Sequence, residues 1–268
     1  MPSTNSVETT LNFFDPARPV TTFVTVNGGK LDVDARDVQV EDARGLEDQL
    51  GFDQCGFQLL KHVSRATDLR DPDQREGIYR AEVADLVQGI TGADKVIAFY
   101  MAIRDNNPDV VGEVRRPAPI VHLDFDADTV ALYAREQLEL EGADVDYWMS
   151  QRYAAYNVWR GLVPVREMPL AVCDGRTVES ELLHPVRTEM QAGVPTPYRG
   201  LVLEYSPSQR WYYYKDMNPD EVMVFKQFDS ERGQVHCNPH TAFDDHRPAP
   251  AQRRVSLEAR AFAFFKKH

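Results

Sequence analysis

His122 and Asp124 are the residues from which chemistry can start. They lie in APIVHLDFDAD, residues 118–128, where two polar, metal-competent side chains interrupt what otherwise reads as a buried strand. A strand has a side-chain period of two, so Ile120, His122, Asp124 and Asp126 share one face, and Val121, Leu123 and Phe125 the other. If the apolar trio packs outward, against a helix or a second sheet, the imidazole and carboxylate point into a cavity whose contents must offset their desolvation. A hard or borderline divalent metal would do so. Two histidines and one carboxylate on one face of iron(II) leave three positions open, as non-haem oxygenases require. Taken alone, the pair reads more simply as a hydrogen-bonded His–Asp couple inside a core.

Such a metal needs a third ligand from a later strand, and a co-substrate with two carboxylates needs a cation from the strand after that. The late histidines are His236, His240 and His246, in QVHCNPHTAFDDHRP, and Arg254 follows His240 by fourteen residues, in RRVSLEAR. Strand alternation turns Arg254 and Ser256 the same way, so guanidinium and hydroxyl can grip one carboxylate together. Arg260 shares that face, either as a second anion contact or as an ion-pair partner of Glu258. In YNVWR, Tyr156, Asn157, Trp159 and Arg160 are candidates to line a pocket, with Asn157 and Arg160 as carboxylate contacts. The alternative makes Trp159 core and Arg160 a loop cap. Arg104 closes a buried strand, as an anion contact or an ordinary strand-end charge. Asp174 and Arg176 are expected to brace each other in a loop.

These side chains must be positioned by a chain of 268 residues, 43% of them hydrophobic, enough for one large domain or one core with an elaborate N-terminal extension. A net charge of −12 argues against nucleic-acid or anionic-membrane partners. No apolar run approaches a membrane span, and MPSTNSVETT lacks the blocks of a signal peptide. Cys55, Cys173 and Cys237 show no CxxC spacing, so neither a disulfide framework nor a structural zinc site is expected, and a reducing cytoplasm is. TVNGGK lacks the P-loop spacing and reads as a hairpin turn.

The first fifty residues read as short strands and loops. Residues 73–91 read as a helix with Ile78, Val83, Leu86, Val87 and Ile90 along one stripe and Gly92 as its stop. KVIAFYMAI, 95–103, is a buried strand, DNNPD a turn and 127–141 a second helix. GLVLEYS, RWYYYKDM and EVMVFKQFD read as successive strands of an antiparallel sheet, and RRVSLEARAFAFF as the last strand. The class is α+β, helices backing a β-sandwich or barrel.

LNFF, VEDARGLED, GFQLLKHVS, TGADKVIAF, VHLDFD, YNVWR, PLAVCDGRTV, DEVMVFKQFDS, HTAFDD and RVSLEAR occur in that order, from Leu11 to the C-terminus. Together they resemble the AsaB-type hydroxylase/desaturase family of iron(II)/2-oxoglutarate-dependent oxygenases, with its gibberellin desaturase-like and cephamycin methoxylation members. The resemblance implies a double-stranded β-helix, a jelly-roll or cupin-like barrel flanked by helices. Residues 1–268 would be a single oxygenase domain, about 1–72 an N-terminal extension and about 95–268 the jelly-roll core. It implies iron(II) on His122, Asp124 and His240, with 2-oxoglutarate on Arg254 and Ser256, and dioxygen as oxidant. His240 is preferred to His236 because HTAF is the family block and its spacing to Arg254 fits; His236 is then surface or outlying, and His246 a solvated loop residue. One departure is Phe125-Asp126 after Asp124, where the family more often carries Tyr-Thr. The implied reaction is oxidation of an unactivated C–H bond of a small molecule by hydroxylation, desaturation or ring closure, in secondary metabolism. Arginines near the pocket favour a carboxylated substrate. A non-oxidative cupin-like metal enzyme, or a catalytically silent binding partner, stand as alternatives.

Overall fold

The computed structural model describes residues 5–19, 22–24, 32–107, 116–189, 198–231, 235–248 and 250–267. Among these residues, fourteen strands form two sheets. They are β1 (Ser6–Phe14), β2 (Thr22–Val24), β3 (Val33–Asp42), β4 (Phe57–Lys61), β5 (Lys95–Asp105), β6 (His122–Leu123) and β7 (Arg152–Gly161). Then come β8 (Leu170–Cys173), β9 (Leu183–Glu189), β10 (Tyr198–Leu203), β11 (Trp211–Tyr213), β12 (Glu221–Asp229), β13 (His240–Ala242) and β14 (Val255–Phe265). The larger sheet runs β1-β3-β11-β8-β13-β6-β10-β9-β2, and the smaller β4-β12-β7-β14-β5.

The central strands of the smaller sheet, β12, β7 and β14, are buried on both faces, while its edge strands β4 and β5 are partly exposed. Its outer face is covered by a helix. That segment starts as a short turn, Pro72–Gln74, passes through a π-helical turn at Arg75–Tyr79 and continues as an α-helix over Arg80–Thr91, stopping at left-handed Gly92. Val83 and Val87 meet Tyr156, Val158, Val222, Val224, Leu257 and Ala259 there. Leu86 and Ile90 pack at the edge of this cluster, but Ile78 is exposed, because the π turn rotates it out of the stripe. On the inner face, Phe57, Trp159, Met223 and Phe225 face Val172 and Tyr212 of the larger sheet and Tyr214 just beyond β11. One end of this interior is plugged by a helix over Ala127–Leu140, whose Val130, Ala134 and Leu138 pack on Phe125, Phe262 and Phe264.

Two sheets closing over one interior give the jelly roll that the family resemblance implied. The expected simple antiparallel sheet of consecutive strands is corrected: β10 and β11 are not neighbours in the larger sheet, and β12 belongs to the smaller one. β11 even runs parallel to β3. Jelly-roll connections cross between sheets, so sequence neighbours separate. The expected strand at 118–128 shrinks to two residues. Asp126 leaves it to cap the next helix, its carboxylate accepting from the Thr129 amide at 2.9 Å. The turn expected at 25–30 lies outside the described residues.

Asn238 ties the two sheets together behind β13. Its side-chain amide donates to the carbonyls of Cys55 (2.7 Å) and Cys173 (2.9 Å) and its oxygen accepts from the Lys226 amide at 3.1 Å, with no part of the residue exposed. Gly56, at φ +91°, sits so close that a Cβ there would lie 2.4 Å from the Asn238 oxygen. Asn238→Ala should strand buried carbonyls and lower unfolding free energy in urea by about 1–3 kcal/mol; an unchanged midpoint would show that the amide is dispensable.

Candidate active site

Cross-strand pairing brings the first two donors together. β6 and β13 are antiparallel neighbours with His122 directly opposite His240, and the rings lie 4.4 Å apart between centroids. Asp124 follows His122 as the chain leaves the strand, its backbone amide donating to the Gln227 side chain at 3.0 Å. Gln227 falls where the β12–β7 register shifts between Lys226 and Phe228, a bulge that sequence pattern alone did not reveal. Donor atoms of His122, Asp124 and His240 all lie within 4.8 Å of one another. Gly200 makes room on the far side, since a Cβ there would meet the Leu123 carbonyl at 2.9 Å.

The protonation of the two imidazoles suits a metal. Nδ1 of His122 lies 2.8 Å from the Ile120 carbonyl, which can only accept, so Nδ1 carries the proton and Nε2 keeps its lone pair. Burial lowers the pKa of His122, and burial with the neighbouring His122 pulls His240 down to about 3. Nδ1 of His240 is buried with no hydrogen-bond partner among the described residues. Two neutral imidazoles, one with an orphaned nitrogen, beside a carboxylate form a donor set that fits a borderline divalent ion.

The inner face of β14 carries Ser256, Glu258 and Arg260 in alternation, continuing the row begun by Arg254 just before the strand. Arg260 stands opposite Asn157 in the register, and both reach Asp124. Asn157 donates to Oδ2 at 2.6 Å and Arg260 to Oδ1 at 2.5 Å. Glu258 joins Arg260 (2.7 Å) to Arg104 (2.9 Å). Arg254 is 1% exposed, lies over the Trp159 ring at 5.0 Å, and touches Ser256 Oγ at 3.3 Å through both Nε and Nη2. Its Nη1 donates to the Met168 carbonyl, in a residue held at φ +45°. No carboxylate pairs with the Arg254 guanidinium among the described residues, since Glu167 accepts from its backbone amide and pairs instead with Arg253. Burial, then the charge of Arg104, brings Arg254 down to about 9, so it remains a cation at neutral pH.

Arg104, His122, Trp159, Leu170, Phe225, His240, Arg254 and Glu258 thus line one small cavity of about 10 Å³. Tyr156 and Arg160 are not brought to it. Both lie on the outer face of β7, Tyr156 packed on Phe52 and Arg160 donating to the carbonyls of His62 (2.7 Å) and Pro219 (2.5 Å). The same alternation that turns Asn157 and Trp159 inward turns these two outward. His236 and His246 are exposed, and Asp174 holds Arg176 at 2.6 Å as expected. Glu258 and Gln227 were not singled out as site residues in the sequence. Glu258 was within reach, lying between Ser256 and Arg260 on the same face.

A jelly roll enclosing two histidines and a carboxylate is an architecture that metal-dependent oxygenases share with other metal enzymes. A family model described as "YDMC: Oxidoreductase/YMDC permease-like domain" matches residues 11–264. The Fe(II)/2-oxoglutarate-dependent dioxygenase nvfI of Aspergillus novofumigatus is 36% identical over 241 residues, covering 85% of this chain and 82% of that protein. Hydroxylase/desaturase asaB of Aspergillus flavus is 26% identical over 97% of this chain and 95% of its own length. A solved structure of the iron and alpha-ketoglutarate-dependent endoperoxidase NvfI superposes with a TM-score of 0.86 at 29% identity, covering 100% of both chains. The chain belongs to the iron(II)/2-oxoglutarate-dependent oxygenases, in their AsaB-type hydroxylase/desaturase family. No helix among the described residues is long and apolar enough to cross a membrane.

The depressed histidines have a measurable cost. An unfolded His240 takes up a proton near pH 6.5, whereas the folded one refuses it until about 3. The metal-free protein should therefore hold full stability above that upper value and lose it towards the lower, by up to ~1.4 kcal/mol per pH unit from this residue. Urea titrations of wild type and His240→Gln over the acidic range should show a shallower slope in the variant. Equal slopes would mean that His240 titrates normally.

Proposed function

We propose that His122, Asp124 and His240 hold the iron of this oxygenase, and that Arg254 with Ser256 holds the far carboxylate of 2-oxoglutarate. The observation that carries this reading is Arg254 itself. A cation buried to 1% exposure, without a carboxylate among the described residues and within one cavity of both histidines, calls for an anionic partner. A non-oxidising metal protein would have no use for it, and the relatives named above are oxygenases. Arg260 is the weaker choice for that role, because Asp124 and Glu258 already occupy its Nη2. The cavity, near the size of one water, must open for a five-carbon acid.

When bound, iron(II) with 2-oxoglutarate and dioxygen supplies the oxidising power, giving succinate and carbon dioxide while a C–H bond of a small-molecule substrate is broken. The chain's part is to position and to exclude. Asn157 fixes the Asp124 carboxylate and Gln227 its backbone. His122 is held in one tautomer by Ile120. Trp159, Leu170 and Phe225 keep water from the reacting centre. Arg104, Arg254 and Arg260 outnumber Asp124 and Glu258 by one, a surplus that the doubly charged metal and doubly charged co-substrate leave unchanged. That residual positive charge supports a carboxylated substrate. We further assign the protein to the cytoplasm, on its three buried free thiols, and treat residues 1–268 as one oxygenase domain. In it, about 1–72 form an extension supplying β1 to β4, ahead of the core at about 95–268.

Anaerobically loaded iron(II), 2-oxoglutarate and then oxygen should yield succinate with wild type and none with His122→Ala. Arg254→Gln should keep metal binding and raise KM for 2-oxoglutarate by roughly 10- to 100-fold, the worth of one charge-assisted contact. Succinate from His122→Ala at the wild-type rate, or an unchanged KM in Arg254→Gln, would defeat the assignment.

A further inference from the structure

Glu258 is a carboxylate buried to 4% exposure in the wall of the metal cavity, yet it is not one of the three donors that group within 4.8 Å of one another. Its two oxygens are divided between two arginines. Oε1 accepts from Arg260 Nε (3.0 Å) and Nη2 (2.7 Å), and Oε2 from Arg104 Nε (3.0 Å) and Nη2 (2.9 Å). Arg260 then spends the same Nη2 on Asp124 Oδ1, the oxygen that lies 3.9 Å from His122 Nε2. The Arg260 guanidinium also lies against the rings of Tyr100 (4.3 Å) and Phe125 (4.7 Å). Asp124 is therefore gripped from both sides, by Asn157 on one oxygen and by an arginine on the other, and the arginine is held in plane by Glu258.

We propose that Glu258 is a positioning residue for the metal centre, acting through Arg260 to set the orientation of the Asp124 carboxylate. This rests on the assignment of His122, Asp124 and His240 as metal ligands. Geometry supplies the reason. A guanidinium held at Nε and Nη2 by one carboxylate oxygen cannot swing, so its Nη2 presents a fixed donor to Asp124. Electrostatics acts in the same direction. Without the Glu258 charge, Arg104 and Arg260 would face a divalent cation with only Asp124 between them. Groups of this kind, which orient a ligand without touching the metal, change metal affinity by roughly 10- to 100-fold when removed.

The alternative is that Glu258 merely neutralises two buried arginines, a structural role that would leave the metal's surroundings alone. Cobalt(II) separates the two, because its d–d absorption reports ligand geometry and its titration reports affinity, both without turnover. Wild type should bind cobalt(II) and show a defined d–d spectrum. Glu258→Gln, and Glu258→Asp, which keeps the charge but shortens the reach by one methylene, should each bind it roughly 10- to 100-fold more weakly with an altered spectrum. Pairing Glu258→Gln with Arg104→Gln restores the net charge, yet affinity should stay low because Arg260 remains unheld. KM for 2-oxoglutarate at saturating metal should move far less in Glu258→Asp than in Arg254→Gln.

A folded Glu258→Asp with wild-type cobalt affinity and spectrum overturns the proposal, as does full recovery in the charge-restored double variant. If Glu258→Gln does not fold, Glu258→Asp and Arg260→Lys carry the same test, with the same weakening expected. Wild type that binds no cobalt, or His122→Ala that binds it normally, would instead sink the ligand assignment beneath the proposal.

Discussion

Charge that cannot reach water must find charge inside, and this constraint organises the interior of the barrel. Arg104, Arg254, Arg260, Asp124 and Glu258 are all largely withdrawn from solvent. Each such ion carries an effective burial penalty of several kcal/mol, offset only when partners and hydrogen bonds are complete. Four of the five meet that condition through one continuous chain, from Arg104 through Glu258 and Arg260 to Asp124. Arg254 stands at its end with a hydroxyl, a carbonyl and an aromatic face for company. The site is thus a nearly closed electrostatic circuit with one open terminal.

The scaffold keeps that circuit dry. The inner face of β14 changes from Arg254, Ser256, Glu258 and Arg260 to Phe262 and Phe264, and the plugging helix seals the aromatic half. The opposite face offers Leu257, Ala259, Ala261 and Ala263 to the helical layer, small enough for close approach of helix to sheet. One strand thereby carries the polar lining, the seal and the outer packing, separated only by parity and position. Low polarity around the ion pairs strengthens each of them, and equally raises the cost of leaving one unmade.

How much of this was legible depended on whether a residue's role was local. The alternation of Arg254, Ser256 and Arg260 could be read because β14 is long and regular. The helix over 73–91 followed from its apolar period, and only Ile78 escaped, displaced by a π turn that no periodicity encodes. His122 and Asp124 were found by parity applied to a strand that proved only two residues long. Asp126 shows where that parity stopped, as the chain turned to cap a helix. His240 was preferred to His236 only through the family resemblance, by the HTAF block and its spacing to Arg254. Tyr156 and Arg160 illustrate the opposite failing: a motif names its residues together, but a strand sends alternate ones to opposite faces. Gln227 lay beyond reach because a bulge, set by tertiary pairing, aimed it. Sheet order was the least legible feature, because crossovers between sheets leave no trace in local composition.

The direct pairing of His122 with His240 has a bearing on how such a barrel can diversify. Inter-strand spacing is among the stiffest lengths in a protein, so the distance between these imidazoles is inherited from backbone hydrogen bonding and not from the loops around them. Loops at the open end can lengthen, shorten or change chemistry to suit new guests while the two rings stay in place. A slip of one residue between these two short strands would be another matter, turning one ring to the far side of the sheet. Variation is thus free at the rim and forbidden at the ladder.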